Sequence, residues 1–281
     1  MGNNQVTARS IVWGQFRLDG GSFFGVLPKA MWTKFVSPDE ANRIPVILRS
    51  LLLETGGHKV LVDCGNWPLF PEKLRDKIYK LEQPPMEETL RAQTGLSPEE
   101  ITDVIPSHLH FDHVGGFFHE VNGVPEVLFQ NARLHTQKRQ LEWALKPSSK
   151  DQASFTPALT RLVADVQKLA VHDGPWTLTP GIDVDVAHGH TPFMQTVRAE
   201  TSFGPLVHAA DVVPMRSQIP LAYIMAFDIE PLKTVEDKER LYQKNPGAIF
   251  YCGHDPENPL CRVVLDDRGR PMPEQVVKEG L

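Results

Sequence analysis

Within six positions, His108-Leu109-His110-Phe111-Asp112-His113 carries four side chains able to ligate a metal, separated only by two apolar residues. On extended backbone, side chains at i and i+2 share a face, so His108, His110 and Asp112 can converge on one point. His113 follows directly, and a turn would swing it to a neighbouring point. Imidazole and carboxylate suit zinc and similar divalent ions, and four such groups exceed what a single ion needs from one segment. Any fold built on this chain has to deliver the cluster rigidly. Val104-Ile105-Pro106 reads as a buried strand running into it and Gly115-Gly116 as a turn leaving it, a frame that a chance cluster of polar loop residues would lack.

Three later points extend the pattern. His190 sits in Gly189-His190-Thr191-Pro192, after the alternating stretch Ile182-Asp183-Val184-Asp185-Val186. Asp211 ends the apolar run Leu206-Val207-His208-Ala209-Ala210, and His254 follows Ala248-Ile249-Phe250 in Tyr251-Cys252-Gly253-His254-Asp255. Each candidate therefore follows an expected strand, and strand ends are where side chains from distant sequence meet.

The rest of the chain supplies a scaffold for such a meeting. Residues 46–53 read as a largely buried strand, Gly56-Gly57 as a turn, and 59–63 as the returning strand of a hairpin. Ser97-Pro98-Glu99-Glu100 has the form of a capping box with proline at the first helical position. Residues 137–145, 156–169 and 232–243 have helical spacing, whereas 183–187, 194–200 and 205–210 read as strands. This mixed order predicts a layered α/β or α+β sandwich. No repeat or low-complexity linker divides the 281 residues, so one domain spanning 1–281 is expected.

Composition excludes several classes. A net charge of −6 argues against a general nucleic-acid surface, and no apolar run approaches the roughly 18–20 residues needed to span a bilayer. The first ten residues, MGNNQVTARS, lack the apolar core of a secretion signal, and their start lacks the hydroxyl residue of the myristoylation pattern. Three cysteines, Cys64, Cys252 and Cys261, form an odd and sparse set, as expected of a cytoplasmic chain without a disulfide framework. Cys64 and Cys252 read as buried apolar filler. Among the remaining histidines, His58, His119, His135 and His172 carry no functional signal, His208 reads as a packed strand residue, and His188 shares a face with His190.

From Asp63 to His254 the motifs and their order resemble the metallo-β-lactamase superfamily. That resemblance implies a four-layer αβ/βα sandwich of two mixed sheets, with two divalent metals at one edge. It implies that His108, His110 and His190 bind one metal, Asp112, His113 and His254 the other, and that Asp211 bridges them. Asp63, in an Asp-x-Gly turn with Gly65, would orient a ligand from behind. Two ions about 3.5–4 Å apart can share a hydroxide while one polarises the substrate oxygen, so no serine or cysteine nucleophile is needed. Asp112 would also carry a proton to the leaving group. Zinc is the first expectation for the metal, with iron, manganese and cobalt compatible with the same donors.

The substrate is less constrained, because the fold hosts many hydrolyses. Asp211 as a bridge counts against a true β-lactamase, the short hairpin expected at 262–271 against a glyoxalase-type thioesterase, and the acidic balance against an RNA-processing member. The segment Leu18–Trp32 is broken by glycines and a proline, so a loop is expected, yet it carries Phe23, Phe24, Met31 and Trp32. These residues form either a core plug or a pocket wall, with Trp67, Leu69 and Phe70 as the opposite wall. Apolar loops at 21–36 and 67–70 would serve equally as a homodimer contact. Similar segments occur in the branch of N-acyl-homoserine-lactone lactonases and organophosphate hydrolases. Lactonases of that branch place a tyrosine shortly after the bridging aspartate. Here Asp211 is followed by Val212-Val213-Pro214, which leaves Tyr223 as the candidate phenol from further along. The expectation is a dinuclear hydrolase opening a small lactone or ester. A phosphotriesterase and a non-catalytic metal-containing sensor are the alternatives.

Overall fold

Strand Arg43–Thr55 shows how the layers arise in the computed structural model, which describes residues 5–277. The first four residues, on which part of the amino-terminal reading rests, lie outside it. Ile44, Val46, Leu48 and Leu52 join one apolar core, whereas Leu51 and Leu53 join another, as the period-2 geometry of a strand requires. The first core fills the space between this sheet and the helices outside it, including Leu90, Ala144, Leu159 and Val163. The second lies between two sheets, where Val60, Val62 and Ile105 meet Val184, Val197, Leu206 and Ile249. A third, with Val207, Phe250 and Leu241, seals helix Pro231–Lys244 onto the far face. The layers therefore run helix, sheet, sheet, helix. Each fully buried aliphatic side chain stabilises the stack by roughly 1.5–3 kcal/mol.

The first sheet has six strands in the order Thr7–Asp19, Arg43–Thr55, His58–Val62, Asp103–Ile105, Arg133–Gln137 and Leu169–His172. Its first three pair antiparallel and the remainder parallel. The second sheet has seven, in the order Pro271–Gln275, Leu260–Leu265, Ile249–Tyr251, Gly204–His208, Met194–Thr201, Ile182–Ala187 and Trp176–Thr179. Only Gly204–His208 and Ile249–Tyr251 pair parallel in it.

Register brings the strand ends together. Val62 pairs with Ile105, His208 with Tyr251, and Ala187 with Met194. The loops that follow Val62, Ile105, Ala187, His208 and Tyr251 consequently open at one edge. Gln195 stitches the sheets there, its backbone N–H donating to Ser107 O (2.6 Å) and its Nε2 to Pro106 O (2.9 Å).

Three local expectations change. The helix expected over 156–169 is Pro157–Ala164, and Leu169–His172 is a strand, because its backbone is captured in parallel pairing with Arg133–Gln137. The expected loop at 21–36 contains two short helices, Gly20–Phe24 and Lys29–Trp32, the first capped by Asp19 Oδ1 accepting from Ser22 N–H at 2.9 Å. The run at 205–210 leaves the sheet after His208, and Ala210 turns with φ 48°. Gly115 and Gly116 are needed for close packing: a Cβ on them would lie 2.1 Å from Trp67 N and 1.8 Å from Cys64 O. The expected hairpin near the end forms as Leu260–Leu265 with Pro271–Gln275.

Candidate metal centre

The parallel strand Asp103–Ile105 ends at Pro106, and the chain then coils beneath the sheet edge with His108, His110 and His113 all buried. Two imidazole clusters result, the rings within each standing nearly at right angles. His108 Nε2 lies 2.8 Å from His110 Nδ1, and His190 Nε2 lies 3.3 Å from that same nitrogen. On the other side, His113 Nε2 faces His254 Nε2 at 3.2 Å. Asp112 Oδ2 is 3.6 Å from His113 Nε2 and 3.9 Å from His254 Nε2. Asp211 lies between the clusters, with Oδ2 3.3 Å from His190 Nε2 and Oδ1 3.2 Å from His254 Nε2.

Hydrogen bonds behind the rings fix which nitrogen faces inward. His190 Nδ1 donates to Asp228 Oδ1 (2.9 Å), His113 Nδ1 to Asp63 Oδ2 (3.0 Å), and His254 Nδ1 to Ile47 O (2.8 Å). A neutral imidazole that donates from one nitrogen presents a lone pair at the other. In their neutral forms the inward Nε2 atoms of His113 and His254 would be two acceptors face to face, an arrangement that calls for a shared cation or proton between them. Asp211 Oδ1 is fully buried without a hydrogen-bond partner. Converging, unsatisfied lone pairs of nitrogen and oxygen are what divalent cations require, so the donor set fits them. Three groups have ligating atoms within 4.8 Å of one another: His108/His110/His190, His108/His113/Asp211 and Asp112/His113/His254.

Charge tells the same story. Burial and the neighbouring imidazoles hold His108 and His110 well below the ordinary histidine pKa, which keeps them neutral ligands. Burial opposes charge on His113 too, yet Asp112, Asp63 and Asp211 around it push its pKa well above the ordinary value. Burial also opposes ionisation of Asp211, but His113, His254 and His190 hold its carboxyl well below the usual range. The half of the site around Asp112, His113 and Asp211 therefore demands positive charge.

Local backbone supports these positions. Asp63 adopts φ 60°, unusual for a residue with a Cβ, while its Oδ1 accepts from Ser107 N–H at 2.6 Å. His208, read as a packed strand residue, is buried with Nε2 3.4 Å from Asp63 Oδ2. The Gly189-His190 turn rests on helix Pro231–Lys244. Asp237 accepts from the N–H groups of His188 and Gly189 (2.6 and 2.8 Å), and a Cβ at Gly189 would lie 2.2 Å from Thr234 N. Arg49 donates to the carbonyls of Gly253 (3.3 Å) and Asp255, holding the turn that carries His254.

The site opens onto a narrow cleft whose walls are Phe16, Leu18, Phe23, Tyr79, Phe111, Ser154, Met225 and Phe227. Of the aromatic residues expected to line it, only Phe23 does. Phe24 stacks on Trp32 with ring centroids 5.5 Å apart and planes 7° from parallel, and both are buried as a core plug. Met31 is 42% exposed and faces away. Trp67 packs edge-on against Phe118 beside a different cavity. Phe70 backs the wall, its ring 4.7 Å from that of Phe111. Tyr223 does not reach the cleft: its ring leans on Phe35 (6.3 Å), and its carbonyl is held by Lys238 Nζ at 2.6 Å. Asp228, Tyr79, Met225 and Phe227 escaped the sequence reading because they lie on irregular segments without periodic signal. His188 packs against Phe193 and does not join the ligand cluster.

A two-sheet αβ/βα sandwich with a His/Asp cluster at the edge defines a metallo-β-lactamase fold, and the Metallo-beta-lactamase superfamily model matches residues 45–273. The chain belongs to that superfamily. Among curated proteins it is 27% identical over 254 residues to an N-acyl homoserine lactonase of Bacillus cereus, covering 85% of this chain and 92% of that protein. It is 29% identical over 174 residues to the N-acyl homoserine lactonase AttM of Azorhizobium caulinodans, covering 58% and 61%. Among solved structures, a probable metal-dependent hydrolase from Staphylococcus aureus superposes with a TM-score of 0.82 at 22% identity, over 99% of this chain and 100% of the other. AidC, described as a dizinc quorum-quenching lactonase, superposes with 0.79 at 20% identity, over 99% and 97%.

Proposed function

We propose that this protein is a dinuclear metal-dependent hydrolase that opens a small, partly apolar lactone or ester. The observation that carries the reading is the placement of Asp211 between two imidazole clusters, directly beneath an apolar cleft. The curated lactonases named above support it. His108, His110 and His190 would hold one cation, and Asp112, His113 and His254 the other, with Asp211 shared between them; zinc is the first choice for the donors present. When bound, such a pair supplies an activated water and a Lewis acid for the carbonyl.

The chain's own residues do the remainder. Asp228, Asp63 and the Ile47 carbonyl keep His190, His113 and His254 in the tautomer that offers Nε2 inward. Phe16, Phe23, Met225 and Phe227 hold the apolar part of the substrate and exclude bulk water. Asp112, at the cleft's polar end, takes up the water's proton and returns it to the leaving alkoxide, so the ring-opened product leaves as a hydroxy acid. Among the described residues no helix is long and apolar enough to cross a membrane.

Purified protein should contain about two metal ions per chain and hydrolyse acyl-homoserine lactones or a γ-lactone in a metal-dependent way. Asp211→Ala should abolish that turnover and lower the metal content while the protein stays folded. Turnover of paraoxon-type triesters with no lactone hydrolysis would replace the lactonase reading by the phosphotriesterase one. Two bound metals with no turnover of any ester would favour a sensor.

A further inference from the structure

Apart from the ligand set, the cleft offers two hydroxyls, Tyr79 and Ser154. Tyr79 stands in a nest of rings, with Phe70 at 5.5 Å, Phe111 at 5.9 Å and Phe16 at 6.2 Å. Phe16 also lies 6.2 Å from the His254 ring, so the phenol stands one aromatic ring outward from the ligand cluster. Among the described residues the Tyr79 hydroxyl has no hydrogen-bond partner, and its side chain is part of the cleft wall. Aromatic neighbours alone would be served as well by phenylalanine.

The backbone holds this phenol in place. Tyr79 follows the helical turn Lys73–Ile78, and its N–H donates to Leu74 O at 2.8 Å while its carbonyl accepts from Arg17 N–H at 2.6 Å. Arg43 donates to the carbonyls of Lys77 and Ile78, both at 3.0 Å, and is itself fixed by Asp39 at 2.9 Å. A segment that is otherwise exposed is thus pinned to the first sheet at the residue that faces the cleft.

We propose that Tyr79 is a specificity-determining residue whose hydroxyl donates a hydrogen bond to a second acceptor on the substrate, one ring's length from the scissile carbonyl. The inference rests on the hydrolase reading and deepens it: on a substrate of the class named for the curated lactonases, the acceptor that Tyr79 holds is the amide oxygen between the ring and the apolar tail. Burial, and then the charge of Asp112, raise the pKa of the phenol, so it keeps its proton and remains a donor. A cleft lined by rings rejects an unpaired polar group on a substrate, so one well-placed donor discriminates strongly between compounds with and without a partner for it.

The test pairs two lactones, N-hexanoyl-homoserine lactone, which carries the amide oxygen, and γ-decanolactone, which lacks it, on the metal-loaded wild type and on Tyr79→Phe. The variant should raise KM for the amide-bearing lactone roughly three- to ten-fold, the worth of one neutral hydrogen bond. Its kcat on that compound, both constants for γ-decanolactone and the thermal unfolding midpoint should stay unchanged. Equal changes on the two lactones, or none on either, would overturn the proposal. Should the wild type hydrolyse neither, the lactonase reading fails separately. Calorimetric binding of the same pair to the metal-loaded protein then decides: a preference for the amide-bearing compound that Tyr79→Phe removes supports the role, and its absence refutes it.

Discussion

Asp228 is the point at which one substitution most directly probes the metal centre without touching a ligand. Its carboxylate is almost entirely buried, accepting from His190 Nδ1 at 2.9 Å and from Met225 N–H at 3.2 Å. In Asp228→Ala the buried Nδ1–H loses its acceptor, which costs about 1–3 kcal/mol. His190 would recover part of that by rotating or changing tautomer, and either response turns Nε2 away from the cluster. At about 1.4 kcal/mol per decade, the loss corresponds to a roughly 10- to 100-fold weaker hold on the cation bound by His190, in line with the usual cost of removing such a partner. Asp228→Asn keeps one oxygen as acceptor and should lose less. The measurement is competition for zinc against a chromophoric chelator, with the two sites resolved by stoichiometry, alongside an unfolding curve. Only one of two equivalents should weaken. If Asp228→Ala retained both equivalents at wild-type affinity, the assignment of His190 through Nε2 would be wrong.

Other expectations concern stability. Gly116→Ala places a methyl against the Cys64 carbonyl, which is backbone and cannot rotate aside; a loss of at least about 1–3 kcal/mol in denaturant unfolding is expected, and wild-type stability would show that the loop slides freely. Lys238 is buried, with Nζ donating to the carbonyls of Gln218 (2.7 Å) and Tyr223 (2.6 Å), and burial lowers its pKa from 10.5 to about 7. Between those values the unfolded chain binds one more proton than the folded one, so stability should rise with pH across that window and not below it. Lys238→Met should flatten that rise between pH 7 and 9.5; an unchanged slope would show that the carbonyls of Gln218, Tyr223 and, at 3.4 Å, Pro220 cancel the burial effect.

The sequence made the His/Asp cluster legible because metal chemistry allows few residue types and strands impose their spacing. His108, His110, Asp112 and His113 announce themselves by proximity, and His190, Asp211 and His254 by following apolar runs. The layered fold was legible for a related reason, since alternation in Arg43–Thr55 assigns successive residues to opposite cores. The cleft was not. Phe23 and Phe24 are adjacent and chemically identical, yet one faces the cleft and the other stacks on Trp32. That choice depends on a five-residue helix whose direction is set by Asp19 and by the room Gly20 leaves for the Trp32 ring, 2.5 Å from where a Cβ would stand. Tyr223 stays outside the cleft while Tyr79 lines it, and neither could be foreseen for the same reason: irregular backbone carries no period from which to read a direction.

Each imidazole cluster draws ligands from loops on both sheets, and this bears on how the molecule comes into being. His108 and His254 are 146 positions apart in the chain. Loop closure over such distances is slow and is accomplished only after most of the chain has condensed. A cation therefore has no complete nest to enter while the first sheet stands alone. A cation shared by donors from both sheets would be held only once both halves had arrived in register, and its retention would report that.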